Sequence, residues 1–152
     1  MLNAKRAELT EKIVAHKTYT GKKWTEIADA VGMSKEWTTA ALMGQISLTK
    51  EQAEKAGNAL GLNFSEEEVA LLMMVPYRGS LPTAVPTDPL IYRLYEIVSV
   101  YGTTMKTLIE EEFGDGIMSA IDFDMDISRV PHEKGDRVKV TMSGKFLPYK
   151  SY

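Results

Sequence analysis

The feature that most limits how this chain can fold is the stretch from Pro76 to Pro89, which holds four of the six prolines in the sequence. Proline fixes φ and removes an amide donor, so these residues form neither a helix interior nor a central strand. The stretch reads as a proline-rich linker, residues 76–89, between a first part, 1–75, and a second, 90–152. A chain of 152 residues thus becomes two small parts, each of which must bury its own apolar surface or borrow a partner's.

The first part reads as a bundle of short helices, each with start and stop signals. Trp24, Ile27, Ala28 and Val31 form an i, i+3, i+4, i+7 stripe that ends at Gly32. A following helix starts at Ser34, stops at Gly44 and buries Trp37, Ala41 and Leu42. Thr49 to Gln52 and Ser65 to Glu68 are capping boxes, and Glu66, Glu67 and Glu68 favour the positive end of the helix dipole.

The second part opens with Asp88 as an N-cap and Pro89 at the first helical position. The expected helix runs to Tyr101, closes at Gly102, and carries Ile91, Leu94, Tyr95, Val98 and Tyr101 on one stripe. Another helix is expected from Thr103 or Thr104 to the turn at Phe113 to Gly116. The period then changes: Ile121, Phe123, Met125 and Ile127 alternate with Asp122, Asp124, Asp126 and Ser128. Beyond the turn Pro131 to Asp136, Val138, Val140 and Met142 alternate again, and Arg137 and Lys139 are placed to face the acidic series. A lone two-stranded hairpin is marginal in water, so this one is expected to pair with a copy from another subunit.

Composition narrows the function. The net charge of −3 leaves no global field for nucleic acid or an anionic membrane. No signal-peptide core or bilayer-length apolar run occurs, and the expectation is a soluble cytoplasmic protein. Cysteine is absent, and His16 and His132 have no ligand-spaced neighbours, so no metal site is expected. Asp122, Asp124 and Asp126 lack the glycine and closing glutamate of a calcium loop and read as a solvated strand face.

Residues 25–34 have the shape of a helix-turn-helix, the basis for an alternative reading as a transcriptional regulator with a C-terminal dimerisation domain. Base reading calls for Arg, Lys, Asn or Gln on the second helix, whereas Ser34 to Gly44 offers Lys35 and Glu36 followed by Trp, Thr, Ala, Leu and Met. With nine basic and ten acidic side chains in residues 1–75, the bundle is expected not to read DNA.

Arg93 and Glu96, three apart on a helix, can touch. From spacing alone a surface ion pair is the plainer interpretation, but the surrounding Tyr92, Tyr95, Val100 and Tyr101 make this an interface-like face. An arginine there offers planar donors to carboxylate-like anions. Ser119 has no His or Cys partner and lies outside any nucleophile elbow, so it reads as a hydroxyl that hydrogen-bonds substrate or as a turn serine.

The wording of the second half is specific: P-T-D-P-L-I-Y-R-L-Y-E from Pro86, V-Y-G-T-T-M-K-T-L-I from Val100, F-G-D-G-I-M-S-A-I-D-F from Phe113 and G-K-F-L-P-Y from Gly144. Together these resemble the cyanase family, and the resemblance extends more loosely through A-L-M-G-Q and L-L-M-M-V-P-Y-R-G in the first half. It implies a lyase that converts cyanate and bicarbonate to carbon dioxide and carbamate, the carbamate then giving ammonia and carbon dioxide. It implies no cofactor, bicarbonate being a co-substrate. The catalytic residues it implies are Arg93, Glu96 and Ser119, with Ile117 and Leu147 lining the pocket. It further implies a homo-oligomer, a decamer built as a pentamer of dimers. The implied fold is mainly α, with a repressor-like helical bundle first and a small α+β second part whose helices and β-hairpin interlock between subunits.

Overall fold

The computed structural model describes residues 1–79 and 81–150; Ser80 of the linker and Ser151 and Tyr152 at the end of the second part lie outside the described residues. The chain divides into two compact units at residues 80 and 81. Mainly helical, it ends in a two-stranded antiparallel hairpin.

The first unit contains α1 (Leu2–Thr20), α2 (Trp24–Val31), α3 (Lys35–Leu42), α4 (Lys50–Leu60) and α5 (Glu66–Met73). Several boundaries have a local cause. Ser34 Oγ accepts from the Trp37 amide at the start of α3. Thr49 and Gln52 cap α4 reciprocally, and Ser65 and Glu68 do the same for α5. Gly21, Gly32 and Gly61 end α1, α2 and α4 with positive φ, where a Cβ would be strained.

Inside, Leu9 and Ile13 of α1 meet Ile27 and Val31 of α2, Ala41 and Leu42 of α3, Ala53, Ala56 and Leu60 of α4, and Leu71 and Leu72 of α5. Each large aliphatic chain withdrawn from water here stabilises the bundle by about 1.5–3 kcal/mol. Trp24 and Trp37 pack against this core from its edge. Arg6 is buried as well: its guanidinium donates to the Ala41 carbonyl and to Thr10 Oγ1, both at 2.7 Å, and so closes the last turn of α3. Thr38, also buried, has a hydroxyl without a hydrogen-bond partner.

The second unit contains α6 (Pro89–Phe113), β1 (Gly116–Val130) and β2 (Arg137–Pro148). Here three sequence expectations are corrected. The two helices expected around Gly102 are one continuous helix, because Gly102 does not take the left-handed conformation that ends a helix. A glycine inside a helix costs about 1 kcal/mol relative to alanine, too little to break one flanked by good continuation on both sides. The strands are longer than the alternating segments, with β1 starting at Gly116 and β2 running to Pro148. The acidic series does not face Arg137 and Lys139: Asp124 pairs with Ser143 and Asp126 with Thr141, while Lys139 and Arg137 lie opposite Ser128 and Val130.

No residue of α6 is buried. From residue 87 to 150, Ser119 is the one buried residue. Leu94, Tyr95, Val98 and Tyr101 on α6 and Met125, Ile127, Val138, Val140 and Met142 on the hairpin are all exposed. No helix among the described residues is long and apolar enough to cross a membrane.

Candidate active site

The N-terminus of α6 is fixed by Asp88, whose carboxylate accepts from the Leu90 and Ile91 amides at 2.9 Å, with Pro89 pre-set for the first turn. One turn further on, Arg93 Nη1 donates to Glu96 Oε2 at 3.1 Å, the pairing that an i, i+3 spacing provides. Tyr92 lies beside the pair, its ring centroid 5.6 Å from Arg93 Cζ and 6.2 Å from the Tyr95 ring. The Arg93 side chain is 63% exposed, so as a surface ion pair this contact contributes little to stability. As chemistry it leaves more: a guanidinium has five N–H donors, and only one of them is committed to Glu96.

Ser119 is placed differently. Along the hairpin Gly116 pairs with Pro148, Ile117 with Leu147 and Met118 with Phe146, and regular pairing resumes only at Phe123 with Gly144. Ser119, Ala120, Ile121 and Asp122 therefore span the gap that Lys145 alone spans on β2. This wide bulge is tied at its base, where Ser119 Oγ accepts from the Ile121 amide at 3.1 Å and the Asp122 amide at 2.9 Å. Ser119 is only 6% exposed, and Ile121 at the crest is 97% exposed. Ile121 thus leaves the alternation with Phe123, Met125 and Ile127 that the sequence suggested, because the bulge breaks the period of two.

Both amides donate to the Ser119 oxygen, so its proton remains to be donated outward. That makes Ser119 suited to hydrogen-bond an anion. Ile117 and Leu147, half-exposed partners across the ladder, put an apolar pair two residues from it on β1.

The structure joins Arg93 to Glu96 and Ile117 to Leu147; among the described residues, no hydrogen bond or ion pair links the Arg93–Glu96 pair to Ser119 within one chain. Nor is any group of three or more His, Asp or Glu side chains among them placed to hold a metal ion. Two glycines, Gly116 from the expected turn and Gly144 on β2, prove tightly placed. A Cβ on Gly116 would run into the Leu147 carbonyl and the Phe146 ring, and one on Gly144 would run into the Ser119 carbonyl and Met118. Both lie in the quoted motifs, but only the pairing register reveals what confines them.

The sequence matches two family models: the cyanate lyase C-terminal domain over residues 83–151 and the cyanate hydratase N-terminal region over residues 6–76. A cyanate hydratase of Methylibium petroleiphilum is 67% identical over 147 residues, covering 97% of this chain and 99% of the relative. One from Ralstonia pickettii is 63% identical with the same coverage. Among solved structures, the crystal structure of cyanase from T. urticae superposes with a TM-score of 0.79 at 36% identity, over 93% of this chain and 97% of that one.

Proposed function

The chain belongs to the cyanate hydratase, or cyanate lyase, family, and from that premise we propose that it decomposes cyanate with bicarbonate through Arg93, Glu96 and Ser119. The observation that carries the assignment of residues is the Arg93–Glu96 contact at 3.1 Å, in which a carboxylate steadies a guanidinium that keeps most of its donors free.

Cyanate and bicarbonate are both anions and repel each other in water. Arginine donors offset that repulsion and hold the two at reacting distance. A bicarbonate oxygen attacks the cyanate carbon, forming a C–O bond and a dianionic adduct. The proton carried by bicarbonate passes to nitrogen, the bond from the bridging oxygen to the former bicarbonate carbon breaks, and carbon dioxide leaves. One further proton from solvent completes carbamate, which takes up another as it falls apart to ammonia and a second carbon dioxide. Ser119 donates to an oxygen of the adduct, while Glu96 orients Arg93 or relays the proton to nitrogen. Ile117 and Leu147 line the pocket, and no cofactor takes part in these steps.

The active form is a homo-oligomer, a decamer built as a pentamer of dimers, in which α6 and the hairpin interlock with those of a neighbour. Support comes from the α6 face Leu94, Tyr95, Val98 and Tyr101, whose exposure in a single chain is costly. Separation within one chain adds to it. The twenty residues of helix from Arg93 to Phe113 extend roughly 30 Å, and Phe113 packs on Phe146 at the Ser119 end of the hairpin, so Arg93 and Ser119 of a shared site come from different chains. The helical bundle of residues 1–75 keeps the outline of a repressor-type helix-turn-helix in α2 and α3 without reading DNA; Lys35 at the start of α3 is engaged with Glu36 at 2.6 Å. We place the enzyme in the cytoplasm.

The test is to supply cyanate to the purified protein with and without bicarbonate and to follow ammonia. Bicarbonate-dependent ammonia is the expected result. None from well-assembled protein would defeat the proposal.

A further inference from the structure

Gly144 does not need its glycine for conformational reasons: its φ lies outside the left-handed region that side chains avoid. What it needs is space. A Cβ at this position would collide with the backbone carbonyl oxygen of Ser119 and approach Met118 Cγ to 2.6 Å. The carbonyl cannot swing aside like a flexible side-chain tip, because the Ser119 backbone is held in the bulge by the two amides on its own hydroxyl. Gly144 is also the residue at which regular pairing resumes, opposite Phe123. The missing side chain at 144 is therefore what allows the Ser119 end of the bulge to settle onto β2.

We infer that Gly144 is a positioning residue for Ser119: the space it leaves sets the bulge, and the bulge aims the one remaining proton of the Ser119 hydroxyl at the anionic substrates. The inference rests on the proposed role of Ser119. Its physical content is that placement of a hydrogen-bond donor to within a fraction of an ångström decides how well it stabilises developing charge. The role is confined to Ser119, so a methyl group at 144 should act on turnover through Ser119 and not independently of it.

A double-mutant cycle of Gly144→Ala and Ser119→Ala tests this, with kcat, both KM values and assembled mass measured for each protein. Gly144→Ala alone is expected to lower kcat by about tenfold or more with smaller changes in KM. In the Ser119→Ala background the same change is expected to cost less than about threefold. Should Ser119→Ala leave no measurable turnover, calorimetric binding of bicarbonate carries the same four-way comparison.

Because the new methyl group meets backbone, Gly144→Ala is also made together with Ala120→Gly, which gives the bulge room to move and the hairpin room to fold, with Ala120→Gly alone as reference. Equal losses in both backgrounds, or near-normal turnover in the assembled Gly144→Ala protein, would overturn the inference. So would failure of every Gly144→Ala form to assemble, since the glycine would then serve the hairpin as a whole. Full turnover in Ser119→Ala is a separate outcome: it removes Ser119 from the site and defeats the reading beneath the inference.

Discussion

The two units solve the same problem in opposite ways. In the first, thirteen of the described apolar residues, from Leu9 to Leu72, are buried on α1 to α5 and the loop before α4, and even an arginine is taken inside. In the second, a helix of 25 residues has no buried residue, and between residues 87 and 150 the one buried residue is a serine. A unit of the first kind holds itself together. One of the second kind leaves its apolar surface open, which in the proposed assembly a neighbouring copy covers, and its candidate chemistry lies on that surface. Self-sufficiency and the proposed chemistry are thus divided between the two parts of the chain.

The contrast breaks most visibly at α6. Val98→Asp puts a carboxylate where the proposed assembly buries apolar surface; the expected outcome is loss of the high-mass species in light scattering and of turnover with it, while the first unit keeps its helical signal. An assembled Val98→Asp protein would contradict the interface reading. In the first unit the opposite pattern is expected. Leu60→Ala, at a fully buried position, should lower the unfolding free energy by about 3 kcal/mol in denaturant titration and leave turnover within about twofold at temperatures where the protein stays folded.

Arg93→Lys sharpens the other side. A point charge replaces a planar donor pair, and kcat/KM should fall by roughly a hundredfold, about 2.7 kcal/mol, with the unfolding midpoint unmoved because the Arg93–Glu96 contact is exposed. Near-normal turnover would remove Arg93 from the proposed machinery. The smallest effect is expected at Thr38. Its buried hydroxyl lacks a partner, so Thr38→Val should raise the stability of the first unit by about 0.5–1 kcal/mol. A lower melting temperature for that variant would mean that the hydroxyl contributes to the bundle after all.

What the sequence disclosed was mostly local. Ser65 with Glu68, Thr49 with Gln52, and Asp88 before Pro89 are boundaries set within four residues, and each is occupied by the side chains expected of it. The Arg93–Glu96 contact was legible for the same reason, since helical spacing alone brings the two together. Gly102 misled because a glycine signals a helix end only when the chain turns there, and helical continuation beyond it prevailed.

The bulge was out of reach. Its existence depends on pairing between residues near 120 and residues near 145, and alternation in β1 alone suggested an unbroken strand through Ile121. Arg6 shows the same limit: its partner is a carbonyl on α3, thirty-five residues away. Interactions closed by distant segments carry no signature in either segment alone.

The continuous α6 has one more implication, for enzyme concentration. A helix of 25 residues is a rod of roughly 37 Å that carries Arg93 near one end and meets the hairpin at the other. In the proposed assembly no chain owns a complete site, so catalysis obeys mass action in the protein itself. Specific activity then becomes a property of how many copies are present, and a freshly made chain is silent until it meets its own kind.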